Sequence, residues 1–420
     1  MKIISTLEDV GPVNPICTGT PEHDSRGLTI VSVDDHVVEP FDLFQGRLPK
    51  KYSDKTPYVI EMPDGAHAWY IDGCLETTTA ASAVAGRPRE LWNHAPARFS
   101  EIRPGCWSAE DRIRDMDING VAASIVYPNF LIGFSAGRLL RINDQEYGLA
   151  LMRAYNDWFH EEWYSKYPDR IVPCQVTWMR DVEIAAAEVR KNAERGFRAV
   201  TFSEDPGRLG LPSLWTKYWD PLFEACVETD TTICLHVGTG HWTPGNYPSD
   251  LDTLFTHIVM PVVYFPTISQ IAATEWLWCG IPTRFPELKL MMAEGGFGWV
   301  PAVAARSDYV LEHSIGGKER EGWKDELLPS EVLKRNFYFC MLDEPVYPEL
   351  VDAIGIEHMM VESDYPHADG TWPHTQERLW DRLKWMSRDD IDKVTYRNAA
   401  KLFRLDPQRL EQATARSTTA

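Results

Sequence analysis

Three features are scarce or missing in this 420-residue sequence: paired cysteines, long apolar runs and an excess of positive charge. Without a run of about 18 apolar residues, no membrane-spanning helix is expected. Residues 1–30 lack a basic start followed by an apolar stretch, so we expect no signal peptide. The net charge of −20 argues against a nucleic-acid partner. The eight cysteines occur without a C-x-x-C pair and predict reduced, mostly buried thiols of a cytoplasmic protein.

The sequence does contain a regular alternation of β-type and helical runs. Helices are predicted at 181–195, from Ser108 to Gly120 and at 147–167. Eight β-type runs are found near 28–33, 121–127, 171–177, 198–204, 231–237, 288–294, 336–342 and 358–364. Alternation of this kind predicts a parallel α/β fold, and the count of eight favours a (β/α)₈ barrel over an open sheet.

Two segments interrupt the alternation and divide the chain. Residues 1–26 are polar and rich in proline and glycine, and we interpret them as an N-terminal arm that packs on the surface or on a second subunit. The barrel is expected to span 27–405, followed by a C-terminal tail at 406–420. A long insertion at 41–107 follows the first strand; it is too aromatic for disorder and is predicted to be a lid over the site or an oligomer contact.

An acid and an imidazole lie two residues apart at the end of the first β-type run. Because strand side chains alternate, Asp34 and His36 point to the same side. Such ligands suit a divalent cation such as zinc, manganese or iron, although an isolated D-x-H is more often a polar loop. His236 and Asp364 end two later runs in the same way. Since a barrel brings its strand ends together on one rim, the four residues predict a metal site.

Five ordered motifs resemble the amidohydrolase-related family, the branch of the amidohydrolase superfamily that contains 2-amino-3-carboxymuconate-6-semialdehyde decarboxylase and the resorcylate-type decarboxylases. The motifs are V-D-D-H-V-V-E-P at 33–40, L-H-V-G at 235–238, the segment 284–301, S-D-Y-P-H at 363–367 and R-N-A-A-K-L-F at 397–403. The resemblance implies a distorted TIM barrel holding one divalent metal ion. Carried over residue by residue, it implies that the ligands are Asp34, His36, His236 and Asp364.

The sequence departs from the family pattern at two places. The first motif is D-x-H instead of H-x-H, which adds a negative charge at the metal. Glu294 stands where the decarboxylases of the family have a catalytic histidine. A glutamate there could be a general base for metal-bound water, or a further metal ligand that bridges a second ion. Alternatively, it could be an anchor that bonds Arg306 or backbone amides.

Three weaker candidates come from the same strand ends. His241 could serve as a proton shuttle or a second-metal ligand, or be a surface-loop histidine. His367 follows Asp364 in a proline-containing turn, where orienting a ligand is favoured over direct ligation. Asn129 follows the second strand and could face the pocket.

The first functional hypothesis is a metal-dependent hydrolase that cleaves a small cyclic or aromatic substrate with metal-activated water. Catalysis is assigned to Asp364, Glu294 and His236, and metal binding to Asp34, His36, His236, Asp364 and Glu294. Alternatives are a non-oxidative decarboxylase of an aromatic or enoic acid, a dinuclear iron or manganese oxygenase, and a non-catalytic metal-holding subunit. A homodimer is expected, a hetero-oligomer is possible, and the substrate is not identified.

Overall fold

The computed structural model describes residues 2–77, 82–92, 97–129, 131–240, 259–313 and 323–417. The chain divides into two compact units. Unit 1 comprises residues 1–176, 363–380 and 406–420, and unit 2 comprises 177–362 and 381–405. None of the helices in the described ranges is long and apolar enough to cross a membrane.

Unit 1 contains ten short strands and five α-helices among its described residues. The strands are β1 Ile3–Ile4, β2 Val31–Ser32, β3 His36–Val37, β4 Tyr58–Glu61, β5 His67–Ile71, β6 Cys74–Thr77, β7 Ala123–Ile125, β8 Tyr127–Pro128, β9 Ile171–Val172 and β10 Cys174–Val176. The helices are α1 Leu7–Val10, α2 Ala109–Asn119, α3 Gln145–Trp158, α11 Thr375–Leu383, which begins in this unit, and α14 Pro407–Ser417.

Unit 2 contains five strands and nine helices in its described part. The strands are β11 Ala199–Phe202, β12 Thr232–His236, β13 Leu290–Ala293, β14 Phe337–Met341 and β15 Met359–Val361. The helices are α4 Val182–Glu194, α5 Asp220–Glu228, α6 Met260–Trp278, α7 Ile281–Arg284, α8 Val300–His313, α9 Pro329–Asn336, α10 Pro348–Ile354, and α12 Arg388–Asp392 with α13 Asn398–Phe403.

Apart from the sheet formed by β1, β4, β5 and β6, the strands pair in parallel within each unit. In unit 1, β2 pairs with β7 and β7 with β9, while β3 pairs with β8. In unit 2, the strands from β11 to β15 pair successively. Each of the eight predicted β-type runs contains at least one of these strands. The α/β class and the (β/α)₈ barrel predicted from the sequence are confirmed.

Local capping explains where two of the predicted helices begin. The Asp181 side chain accepts from the backbone N–H groups of Glu183 and Ile184, at 3.0 Å each, directly before α4. Ser108 accepts from Asp111 N at 3.4 Å before α2, which ends at the left-handed Gly120. The predicted aromatic helix at 147–167 is α3, continued by a π-helical turn at Phe159–Tyr164.

The insertion at 41–107 contributes an antiparallel sheet of its own. Strands β4, β5 and β6 lie side by side, and β1 of the N-terminal arm completes the order β1-β4-β5-β6. Phe44 packs against Trp69 with ring centroids 5.7 Å apart. Arg103 Nη1 donates to the arm carbonyl of Gly19 at 2.8 Å. The arm thus packs on the insertion of its own chain.

Candidate metal centre

His36 is the first residue of β3 and Asp34 lies two residues before it, and both side chains are fully buried. The Nε2 atom of His36 lies 3.3 Å from Asp34 Oδ1. His36 Nδ1 lies 3.3 Å from the carbonyl oxygen of Pro128. Because a carbonyl only accepts, this contact assigns the proton to Nδ1 and leaves the Nε2 lone pair facing the carboxylate. An imidazole in this tautomer can bind a metal ion through Nε2.

Asp364 is brought to the same place by backbone hydrogen bonds. Its N–H donates to the carbonyl oxygen of Asp34 at 2.9 Å, and the N–H of His36 donates to Tyr365 O at 2.6 Å. Asp364 has a left-handed backbone with φ of 48°, which only a minority of non-glycine residues adopt. As a result, Asp364 Oδ1 lies 3.4 Å from His36 Nε2. The structure therefore places Asp34, His36 and Asp364 together.

His367 lies beside Asp364 and stacks on His36. Its Nδ1 is 3.0 Å from Asp364 Oδ1, and its ring centroid is 4.0 Å from that of His36. One ligand atom each from His36, Asp364 and His367 lies within 4.8 Å of the others. This position is compatible with orienting Asp364, which is the prediction from the sequence, and equally with contributing a ligand atom.

The charge and chemistry of this cluster fit a divalent cation. Two fully buried carboxylates, Asp34 and Asp364, approach the same imidazole nitrogen, and burial of negative charge without compensation is costly. A cation among these oxygens would offset that cost. Carboxylate oxygens with imidazole nitrogen suit manganese, zinc or iron.

Asp35, between Asp34 and His36, accepts hydrogen bonds that tie three strand segments together. Its Oδ1 accepts from Ser32 Oγ at 3.0 Å, from Ser363 Oγ at 2.6 Å and from Tyr365 N at 3.0 Å. Its Oδ2 accepts from Ser124 Oγ. Burial raises the pKa of the Asp35 carboxyl, although Arg112 and these donors oppose the shift. The sequence analysis did not single out Asp35, whose only signal was its place between Asp34 and His36.

Arg112 of α2 supports the same segment from behind. The buried guanidinium donates from Nε to Gly105 O at 2.8 Å and from Nη2 to the carbonyl oxygen of His36. Its central carbon lies 4.2 Å from the centroid of the Tyr365 ring. One guanidinium therefore contacts both His36 and Tyr365, the residue that follows Asp364.

In unit 2, His236 and Glu294 lie at the ends of neighbouring strands. His236 is in register with Ala293, so Glu294 comes one residue beyond it. The Nε2 atom of His236 lies 3.4 Å from Glu294 Oε2, and its Nδ1 lies 2.8 Å from Val237 O. As in His36, the carbonyl contact assigns the proton to Nδ1, so that the Nε2 lone pair can bind a metal ion.

Glu294 is anchored by its backbone while its carboxylate faces His236. Glu294 has a left-handed backbone conformation, with φ of 59°, and its N–H donates to Glu362 Oε2 at 3.2 Å. The same Glu362 oxygen accepts from Cys340 Sγ at 2.6 Å. Arg306, the anchor considered from the sequence, is exposed, with its guanidinium 5.3 Å from the Tyr309 ring centroid. This geometry favours the base or ligand interpretation of Glu294 over the anchor.

Glu204 is a buried acid that the sequence analysis did not single out. It follows β11 and accepts from Gly240 N at 3.4 Å, and its own N–H donates to Thr239 Oγ1 at 3.0 Å. Thr239 Oγ1 in turn donates to the carbonyl oxygen of His236 at 2.8 Å. Burial raises the pKa of Glu204 to about 8. Its position as an acid at the end of the predicted run 198–204 is the sequence signal that could have identified Glu204. His241 lies outside the described residues.

Glu39 anchors the loop after β8. Its Oε1 accepts from Asn129 N at 3.0 Å and from Ile132 N at 3.2 Å. Burial nevertheless raises the pKa of Glu39 to about 7 from its usual 4.5. The folded protein therefore holds a proton on Glu39 at pH values where the unfolded chain has released it.

This shift predicts that stability falls as the pH rises from 5 to 8. Ionising Glu39 in the folded state should lower the free energy of unfolding by up to about 3 kcal/mol. A Glu39→Gln variant keeps an oxygen acceptor for both amides and cannot ionise, so its advantage over the parent should grow with pH. Urea unfolding at pH 5 and pH 8 measures the difference. If the two proteins differ by the same amount at both pH values, the shift in Glu39 is refuted.

Comparisons with known proteins agree with this fold. A family model described as amidohydrolase matches residues 65–405. Among similar solved structures is an amidohydrolase from Mycobacterium avium subsp. paratuberculosis K-10, with 21% identity, a TM-score of 0.66 and coverage of 89% of this chain and 98% of that one.

Two further similar structures are decarboxylases. One is 5-carboxyvanillate decarboxylase from Sphingomonas paucimobilis, with 18% identity, a TM-score of 0.61 and coverage of 90% of this chain and 100% of that one. The other is a dihydroxybenzoic acid decarboxylase from Polaromonas sp. JS666 with bound manganese and the inhibitor 2-nitroresorcinol, with 19% identity, a TM-score of 0.59 and coverage of 91% and 98%. These likenesses establish the fold, and the family model spans most of the sequence. The chain therefore belongs to the amidohydrolase family of enzymes, as its motifs predicted.

Proposed function

We propose that this enzyme catalyses the metal-dependent, non-oxidative decarboxylation of a hydroxylated aromatic carboxylic acid. From the sequence alone, hydrolysis is the first hypothesis and decarboxylation the second. The similarity to a manganese-bound dihydroxybenzoic acid decarboxylase and to 5-carboxyvanillate decarboxylase favours the second hypothesis. The observation that carries the proposal is the pair of buried acids, Asp34 and Asp364, on either side of His36 Nε2.

The proposed metal ligands are those predicted from the sequence. Asp34, His36 and Asp364 of unit 1 form the described cluster. On the sequence pattern, we assign His236 and Glu294 of unit 2 to the metal centre as well. A bound divalent ion would neutralise the substrate carboxylate and draw electron density from the ring.

In the proposed reaction the carbon–carbon bond to the carboxylate breaks, carbon dioxide leaves, and the electron pair remaining on the ring carbon takes up a proton. Asp364 is the proposed proton donor, because it lies beside His36 and is the acid that His367 contacts. The 3.0 Å contact from His367 Nδ1 orients the Asp364 carboxyl and offers a route for its proton to be restored.

Hydrolysis remains the second candidate because of one specific contact. Glu294 Oε2 lies 3.4 Å from His236 Nε2 at the position where a base for an attacking water is expected. A carboxylate there can take a proton from water more readily than it can protonate a ring carbon at neutral pH.

The test compares the two reactions in the same protein. Manganese-loaded enzyme is incubated with 2,6-dihydroxybenzoate, with 5-carboxyvanillate and with an aromatic lactone, and products are followed by NMR and by carbon dioxide release. Equal amounts of arene and carbon dioxide would support decarboxylation. Opening of the lactone without carbon dioxide from either acid would contradict it and favour the hydrolase.

A Glu294→Gln variant separates the roles of Glu294. If Glu294 is a base or a ligand, we expect turnover to fall by about 10²-fold or more, since an amide cannot accept the proton. Its backbone bond to Glu362 is kept in this variant, so the fold should not change. Parental activity and metal content would refute both the hydrolytic mechanism and a dinuclear centre, and leave decarboxylation without Glu294 or a non-catalytic subunit.

The assembly and location of the enzyme are also proposals. Tyr58, Tyr70 and Leu75 are cross-strand neighbours on β4, β5 and β6 and are all exposed. This apolar row supports self-association through the insertion, in a homodimer, over its use as a lid. Seven of the eight cysteines are buried thiols, which fits the cytoplasmic location predicted from the sequence.

A further inference from the structure

A buried polar residue, Asn129, directly follows β8, the strand that pairs with the segment of the proposed metal ligand His36. His36 and Val37 of β3 are in parallel register with Tyr127 and Pro128 of β8. Extending the alternation of side chains by one residue beyond β8 places Asn129 on the same side as Tyr127 and hence as His36. The contact of His36 Nδ1 with Pro128 O fixes this register at the ligand itself.

The Asn129 side chain is fully buried, yet it makes no hydrogen bond with any of the residues that the structure describes. Neither its amide oxygen nor its amide nitrogen has such a partner. Buried polar groups are normally paired, and an unpaired one at a site of this kind is typical of a group reserved for a ligand.

The backbone around Asn129 is, in contrast, held firmly. Its N–H donates to Glu39, and its carbonyl oxygen accepts from Gly133 N at 2.8 Å. The turn then delivers Phe134, whose ring centroid lies 4.7 Å from that of His36 and 6.0 Å from that of His367. The backbone of Asn129 is therefore fixed in the turn that presents the Phe134 ring to the His36 imidazole.

We propose that Asn129 binds a ring hydroxyl of the substrate, with Phe134 packing against the ring. An amide offers both a donor and an acceptor, which matches a hydroxyl group. The amide carries no positive charge, so the substrate carboxylate is assigned to the metal instead. This inference rests on the proposed function, because it assumes a hydroxylated aromatic acid.

The first test measures recognition of the hydroxyl. Dissociation constants for 2,6-dihydroxybenzoate and 2,6-dimethylbenzoate are measured by calorimetry on the metal-loaded parent and on Asn129→Leu. The parent should prefer the dihydroxy compound, and the variant should lose about tenfold or more of that preference, with unchanged metal content. A parent that binds the two compounds equally, or binds neither, or a variant whose preference is unchanged, would overturn the proposal.

The second test asks whether Asn129 is structural instead. Asn156 is the matched control, since its side chain donates to Val176 O and accepts from Val176 N, both at 3.0 Å. Asn156→Leu should lower the melting temperature, whereas Asn129→Leu should keep or raise it, because no hydrogen bond is lost. An equal loss in both variants would identify Asn129 as a structural residue and overturn the proposal.

These results also distinguish the subsite from the reaction. If the preference depends on Asn129 but no carbon dioxide is released from any hydroxylated acid, the subsite is supported and the decarboxylation is wrong. If carbon dioxide is released and the preference does not depend on Asn129, the reaction is supported and the subsite is wrong.

Discussion

A His36→Ala variant is expected to fold and to lose most of its bound metal. His36 Nε2 is the atom that lies within 3.4 Å of both Asp34 and Asp364, and its removal leaves two buried carboxylates without their imidazole. The fold should survive, because the surrounding contacts are spread over many strands. Elemental analysis of the purified variant, with circular dichroism for the fold, measures the effect. His236→Ala should behave in the same way.

The matched control is His358→Ala. His358 precedes β15, at the opposite end of that strand from Asp364, and its Nδ1 contacts Phe337 O at 2.9 Å. That variant should keep its full metal content. Full metal content in both His36→Ala and His236→Ala would refute the ligand assignment. One ion per parent chain is expected, and two ions that include iron would favour the dinuclear oxygenase instead.

The strands could be predicted because parallel strands buried on both faces form short continuous apolar runs. Ile233 to Leu235 and Leu290 to Met292 are such runs, and every residue in them is buried. The first run is followed directly by His236, and the second is followed by Ala293 and then Glu294. The polar residues at these strand ends could therefore be predicted from the sequence as well. The caps Ser108 and Asp181 fixed two helix starts for an equally local reason.

The supporting interactions could not be predicted, because they join residues far apart in the chain. Asp35 bonds Ser363 across 328 positions, and nothing in either segment indicates the partner. The pairing of the arm with the insertion, Ile3 with Ile60, is of the same kind. Glu39 belongs to the motif at 33–40, but its raised pKa depends on burial, which only the folded chain defines.

The direction of the Asp364 side chain also required the structure. Its left-handed backbone turns the carboxylate back toward His36, and asparagine and aspartate tolerate that conformation better than most residues. The sequence placed Asp364 at a strand end, whereas its contact with His367 and its approach to His36 follow from this turn. These two contacts carry the proposal that Asp364 transfers the proton.

An Asp364→Asn variant should therefore keep its shape and lose its turnover. Asparagine has nearly the same volume, tolerates a φ of 48° and retains one oxygen, but it cannot give or take the proton. We expect the rate to fall by about 10²-fold or more while the substrate still binds. Steady-state kinetics with the best substrate, together with ligand binding by calorimetry, measure the two effects separately.

Asp34→Asn is the control, because Asp34 Oδ1 lies 3.3 Å from the same His36 nitrogen that Asp364 approaches to 3.4 Å. Both substitutions remove one negative charge at the proposed metal, and Asp364 in addition lies 3.0 Å from His367 Nδ1, the contact that the proposed proton route uses. Excess manganese should restore much of the activity of Asp34→Asn, since its loss is one of metal affinity. Excess manganese should not restore the activity of Asp364→Asn, because that variant lacks the group that transfers the proton. Near-parental turnover of Asp364→Asn, or equal rescue of both variants by manganese, would mean that Asp364 contributes charge to the metal and does not transfer the proton.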